Sequence, residues 1–141
     1  MQYFTDKQLK RHKTFLEIAQ VFSKRSHSKR SQVGCVIVNE DGRIVSTGYN
    51  GTPSGVNNIC ENSENETHEY VIHAEMNAIF NATTSNLNNS TIYLTLSPCI
   101  RCAAALLQKH VKEVIYIEQY RNTEGIEFLK EHGVAVNQIE L

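Results

Sequence analysis

Val33-Gly34-Cys35-Val36-Ile37-Val38, followed after Asp41-Gly42 by Arg43-Ile44-Val45-Ser46-Thr47-Gly48-Tyr49, decides how this chain folds. The first run is short, β-branched and continuously apolar, the pattern of a strand buried on both faces. Asp-Gly is a strong hairpin signal, because glycine takes the positive φ that a tight turn requires. The second run then returns as the partner strand. Upstream, Thr5-Asp6-Lys7-Gln8 has the form of a capping box. Leu9, Phe15, Leu16, Ala19 and Phe22 follow at roughly helical spacing, which predicts a first helix running to about Lys24.

Beyond the hairpin the texture changes. Asn50 to Glu69 is polar, with Gly51, Pro53 and Gly55 near its start, and reads as a long loop that is functional or locally folded. His73 to Ala82 reads as a helix and Thr91-Ile92-Tyr93-Leu94-Thr95 as a strand. Ser97-Pro98 supplies an N-cap and a first-turn proline for a helix to about Lys109. Val114-Ile115-Tyr116-Ile117 is a strand, Glu124 to His132 a helix ending at Gly133, and Val134-Ala135-Val136 a last strand. One hairpin followed by alternating helices and strands predicts an α/β three-layer sandwich: a mixed sheet of about five strands with helices on both faces. No repeat or linker interrupts it, so residues 1–141 read as one domain.

Composition narrows the class. A formal net charge of -1 leaves no electrostatic footprint for a nucleic-acid polymer or an anionic membrane. No apolar run approaches the roughly 20 residues that span a bilayer. The opening Met1-Gln2-Tyr3-Phe4-Thr5-Asp6 leads into a polar helix instead of a secretory leader. The expected location is therefore the cytoplasm, where Cys35, Cys60, Cys99 and Cys102 stay reduced. A local basic run, Ser23-Lys24-Arg25-Ser26-His27-Ser28-Lys29-Arg30, is able to hold one or two phosphates.

Two segments carry the chemistry, His73-Ala74-Glu75 and Pro98-Cys99-Ile100-Arg101-Cys102. Cysteines three apart at a helix start project to one side, and the positive helix end favours the zinc-binding thiolate. His73 as third ligand leaves a fourth position open for water, as a catalytic zinc requires. Glu75, two residues away, faces the same site only if both lie at a helix start. Alone, Cys-x-x-Cys equally suits a redox pair or half of a structural zinc site, and His-x-Glu is common by chance. Together, in this order, they form the His-x-Glu…Pro-Cys-x-x-Cys signature of zinc deaminases acting on cytosine or adenine. Cys35 reads as a core residue. Cys60 with His68 offers only two ligands for a second zinc, and His12, His27, His110 and His132 read as surface or helix-end residues.

With Gly48-Tyr49-Asn50-Gly51-Thr52-Pro53-Ser54-Gly55 added, the chain resembles the deoxycytidylate (dCMP) deaminases from about residue 8 to 136. The resemblance implies a cytidine-deaminase-like fold that converts dCMP to dUMP and ammonia for thymidylate synthesis. Zinc-bound hydroxide would attack C4 of cytosine while Glu75 shuttles protons. It implies Zn2+, with Mg2+ accompanying nucleotide effectors. Arg25 and Tyr120 would take the phosphate, with Arg121 a weaker candidate, while Asn50 and Ala74 would meet the nucleoside. The effectors dCTP and dTTP would act at Gly48, Tyr49, Asn50 and Gly51, in a homohexamer. Ile59-Cys60 departs from the paired cysteines frequent in relatives, which puts a second zinc in doubt. The competing readings are a tRNA adenosine or free-cytosine deaminase, and a non-catalytic zinc-stabilised binding module.

Overall fold

The computed structural model describes residues 3–141, so Met1-Gln2 of the N-terminal reading lie outside it. The order is α1 (Asp6–Ser23), β1 (Gly34–Val38), β2 (Ile44–Tyr49), α2 (Ala74–Phe80), β3 (Thr91–Leu96), α3 (Ile100–Gln108), β4 (Glu113–Glu118), α4 (Glu124–Glu131) and β5 (Ala135–Gln138). The strands form one mixed sheet in the order β2-β1-β3-β4-β5. β1 is antiparallel to β2 and β3, whereas β3, β4 and β5 run parallel.

Alternation along the central strands builds two cores. Leu16 and Ala19 of α1 pack with Val36, Val38, Tyr93 and Ile115 on one face. Cys35, Ile37, Ile92, Leu94, Val114 and Tyr116 point to the other, where they join Ala78 of α2, Leu106 of α3 and Leu129 of α4. All five β1 residues are buried because the strand has helices above and below it. The expected three-layer α/β sandwich is the observed one.

Local chemistry explains the boundaries. The capping box at α1 is complete: Gln8 N–H donates to Thr5 Oγ1 at 3.1 Å and Thr5 N–H to Gln8 Oε1 at 2.9 Å. Three expectations shift. Cys99, not Ser97, is the N-cap of α3, so the helix starts two residues later. Ser97 instead extends the β3–β4 ladder, its N–H donating to Glu118 O at 2.9 Å. The last strand begins at Ala135, because Val134 N–H is spent on Leu129 O (3.0 Å) and Gly133 N–H on Lys130 O (3.3 Å), a Schellman closure of α4 with Gly133 at φ +85°. The third shift concerns His12, which is a core residue. It is 3% exposed, and its Nδ1 lies 2.7 Å from Tyr93 Oη. Burial lowers its pKa below the ordinary histidine value.

At Gly48 the backbone of α2 lies against β2. A Cβ there would collide with the Ala74 carbonyl oxygen and stand 2.6 Å from the Ala78 amide nitrogen. That close approach, tied by Asn77 Nδ2 donating to Tyr49 O at 2.7 Å, holds the start of α2 near the edge where β3 and β4 end.

Removing the buried Tyr93 hydroxyl should leave the His12 ring nitrogen unpaired. Tyr93→Phe is expected to lower stability by about 1–3 kcal/mol in denaturant unfolding. A midpoint identical to that of the wild type would mean that the pair contributes nothing.

Candidate metal centre

The C-terminal ends of the parallel strands β3 and β4, the start of antiparallel β1 and the end of β2 share one sheet edge. Ligands of open α/β sheets bind at such strand ends. A cavity of about 590 Å³ opens there. His73 and Cys99 are the N-caps of α2 and α3, both in extended conformation with helical turns starting behind them. Cys102 is the third residue of α3. Cys99 is further fixed by α4. A Cβ on Gly125 would lie 2.8 Å from the Cys99 carbonyl, so only glycine lets that helix come so near.

These three residues converge. His73 Nδ1 stands 3.6 Å from Cys99 Sγ and 3.3 Å from Cys102 Sγ, and all three ligand atoms lie within 4.8 Å of one another. Tetrahedral zinc with Zn–N near 2.05 Å and Zn–S near 2.3 Å sets its N···S edges at about 3.6 Å. The trio therefore fits zinc in donor type and spacing. It is also the single group of three potential ligands among the described residues.

The electrostatics are those of a site made for a cation. Cys102 donates its proton toward the Cys99 sulfur, and with His73 beside it the Cys99 thiol is pushed down to about 3. Cys102, left holding the proton in a buried position, is raised. The hydrogen bond to Cys99 raises His73. Glu75 is 4% exposed and lines the cavity, and burial raises its carboxyl above the ordinary glutamate value.

Most of the residues expected to meet a substrate gather here: Asn50, Ala74, Tyr120 and Arg121 all line the cavity. Asn50 is pinned in place, its Oδ1 accepting from Val33 N–H at 2.9 Å and its Nδ2 donating to Ser31 O at 2.8 Å. Tyr120 is oriented by its N–H, which donates to Ser97 Oγ at 2.7 Å.

Arg25 is the exception. Its N–H donates back to Phe22 O in the turn closing α1, and its guanidinium lies 5.6 Å from the Tyr49 ring centroid, away from the cavity lining. The cation of the basic run that does reach the cavity is Arg30, with Ser28 beside it. Which cation of the run faces the site depends on how the turn folds.

Of the residues expected to meet effectors, Gly48, Tyr49 and Gly51 line a second cavity of about 700 Å³, while Asn50 belongs to the first. Cys60 and His68 gather no third ligand among the described residues. Cys60 is buried, and the His68 ring stacks on Tyr70 at 4.7 Å.

The comparisons with known proteins agree with this geometry. The family described as cytidine and deoxycytidylate deaminase zinc-binding region matches residues 9–118. The chain belongs to that family.

A relative from Caenorhabditis elegans is 49% identical over 119 residues, covering 81% of this chain and 60% of that protein. The deoxycytidylate deaminase of Mus musculus is 36% identical over 118 residues, covering 78% of this chain and 66% of its own. The chain thus spans slightly under two thirds of the curated relatives first matched. The crystal structure of dCMP deaminase from cyanophage S-TIM5 in complex with dCMP and dUMP superposes with a TM-score of 0.88 at 35% identity. That match covers 97% of this chain and 100% of that one. The cytidine-deaminase-like fold and the deaminase zinc-binding region are therefore both established for this chain.

Metal analysis of the purified protein should find about one zinc per chain. Cys99→Ala and Cys102→Ala are each expected to lose most of it, because two remaining ligands bind zinc weakly. Full occupancy in both variants would place the metal elsewhere.

Proposed function

We propose that the chain is a zinc-dependent hydrolase that deaminates dCMP to dUMP and ammonia, supplying dUMP for thymidylate synthesis. The observation that carries this reading is Glu75, a buried carboxyl beside the three-ligand cluster in a cavity that Arg30 and Arg121 also line. A structural zinc site has no use for such a carboxylate, which argues against a non-catalytic binding module. The near-neutral charge argues against a tRNA substrate. The phosphate donors favour a nucleotide over free cytosine.

Zinc held by His73, Cys99 and Cys102 would supply a nucleophile at neutral pH by lowering the pKa of a coordinated water. Glu75 would move two protons in turn, the first from the attacking water to the ring nitrogen and the second from the added hydroxyl to the leaving amine. Its raised pKa suits both halves of this task, since a carboxyl that accepts and returns protons works best when poised toward neutrality. Asn50 and the Ala74 backbone hold the nucleoside over this centre. Arg30, Tyr120 and Arg121 take the phosphate, Arg30 in the role that the family resemblance implied for Arg25. A phosphate dianion gains most from charge-assisted hydrogen bonds of this kind.

Regulation belongs to the same proposal. The second cavity suits dCTP and dTTP, with Mg2+ at their phosphates. The segment Tyr49-Asn50-Gly51 links it to the first cavity, because Tyr49 and Asn50 line different cavities. A homohexamer working in the cytoplasm completes the reading. No helix among the described residues is long and apolar enough to cross a membrane.

The deciding assay is ammonia release from cytidine, deoxycytidine, CMP, dCMP and dCTP, each with and without added dCTP or dTTP. Turnover should be greatest with dCMP, with its saturation curve shifted by the effectors. Equal efficiency on deoxycytidine would refute the nucleotide assignment.

Glu75→Gln should keep fold and zinc while losing about 10²–10⁴-fold in kcat, the usual contribution of general acid–base catalysis. Near-normal turnover would assign the proton transfer to another group. Arg30→Ala should raise the KM for dCMP at least about tenfold, since a hydrogen bond to a charged group contributes roughly 1.5–3 kcal/mol. An unchanged KM would remove Arg30 from the phosphate site.

A further inference from the structure

Ser28, Arg30 and Ser31 line the cavity from a turn that has no helix or strand of its own. The carboxylate of Glu61, from the middle of the long polar insert, holds that turn. Its Oε2 accepts from Ser28 Oγ at 2.9 Å, Lys29 N–H at 3.0 Å and Arg30 N–H at 3.3 Å. Ser28 is itself braced, its N–H donating to Ser26 Oγ at 3.2 Å and its Oγ accepting from Ser31 N–H at 3.3 Å. Three donors on one oxygen form a cradle inverted from the usual anion site: the anion belongs to the protein and the loop is the guest.

Glu61 is placed for this task by its own surroundings. It is 8% exposed and bridges to Thr67, which also lines the cavity. Asn62 caps the following turn, its Oδ1 accepting from Glu64 N–H at 2.9 Å and Glu66 N–H at 3.0 Å. Burial opposes ionisation of Glu61, but the Ser28 hydroxyl and the two amides outweigh it and hold the carboxyl below its ordinary value. The insert thus presents a fixed negative charge to a turn rich in cations.

We propose that Glu61 is a positioning residue: by binding the Ser28–Arg30 turn it sets the Arg30 side chain at the cavity for the substrate's phosphate. This rests on the dCMP reading above. Glu61 touches neither the ligand cluster nor Glu75, so its loss weakens binding of the phosphate end and spares the reacting centre. A change in KM without a change in kcat is the sign of lost binding that ground and transition states share.

The test compares wild type, Glu61→Gln and Glu61→Ala by steady-state kinetics on dCMP and by amide hydrogen exchange of residues 28–31. Glu61→Ala should raise KM at least tenfold with kcat within about threefold. Glu61→Gln, which keeps the length and an acceptor oxygen, should raise it severalfold and serves alone if the alanine variant does not fold. Exchange should accelerate in the 28–31 segment and stay unchanged in β1 and β3. An unchanged KM in a folded variant overturns the proposal. So does a parallel fall of kcat and stability with exchange accelerated throughout, the mark of a merely structural residue. If wild type fails to deaminate dCMP, the substrate assignment falls by itself. Exchange at 28–31 then still decides whether Glu61 holds the turn.

Discussion

Two helix N-termini have to meet at one edge of the sheet, with His73 and Cys99 as their caps and Cys102 one turn inside. Ligand atoms from two segments 26 residues apart stand 3.6 Å from each other only if α2 and α3 are both pressed onto the same face of the sheet. Gly48 and Gly125 answer that demand from opposite sides. The first lets α2 lie against β2, and the second lets α4 close over the backbone of Cys99. A side chain at either position would displace a ligand-bearing segment by more than a metal site tolerates, since productive geometries are held to about 0.5 Å.

The same convergence concentrates charge. Two thiols, an imidazole and a buried carboxyl share a small volume, and their protonation is mutually dependent. Without a cation the cluster must keep protons it would otherwise release. A divalent ion held there would make the thiolates the favoured form. The core beneath is built for rigidity: β1 is buried from end to end and the His12–Tyr93 pair stiffens the opposite face.

The cavity walls obey a different rule. They are loops, and each is tied by side chains to a distant backbone. Asn50 bonds Val33 and Ser31, Ser97 bonds Tyr120, and Glu61 bonds the turn at 28–30. The shape of the cavity in such a design depends on buried polar anchors. These anchors explain why a polar insert of this length is ordered without helix or strand.

Short-range physics made part of this legible in the linear chain. The hairpin, the capping box at Thr5, the alternation of helix and strand and the coupled His-x-Glu and Cys-x-x-Cys segments all depend on residues within a few positions of one another, and each appears in the structure. The boundaries that moved did so because longer-range bonds claimed a group: Ser97 went to the β4 ladder and Val134 to the α4 closure. His12 read as a surface residue until its partner Tyr93, 81 positions away, supplied a buried hydrogen bond. Arg25 and Arg30 are equivalent as entries in a basic run. In the folded chain the Arg25 guanidinium lies against the Tyr49 ring, whereas Arg30 lines the cavity. The chain by itself determined its secondary elements and the kind of chemistry its ligands support, because propensity and donor type are local properties. Which cation faces the cavity, and which carboxylate serves as an anchor, was decided by tertiary structure, because both depend on distances between residues that the sequence leaves tens of positions apart.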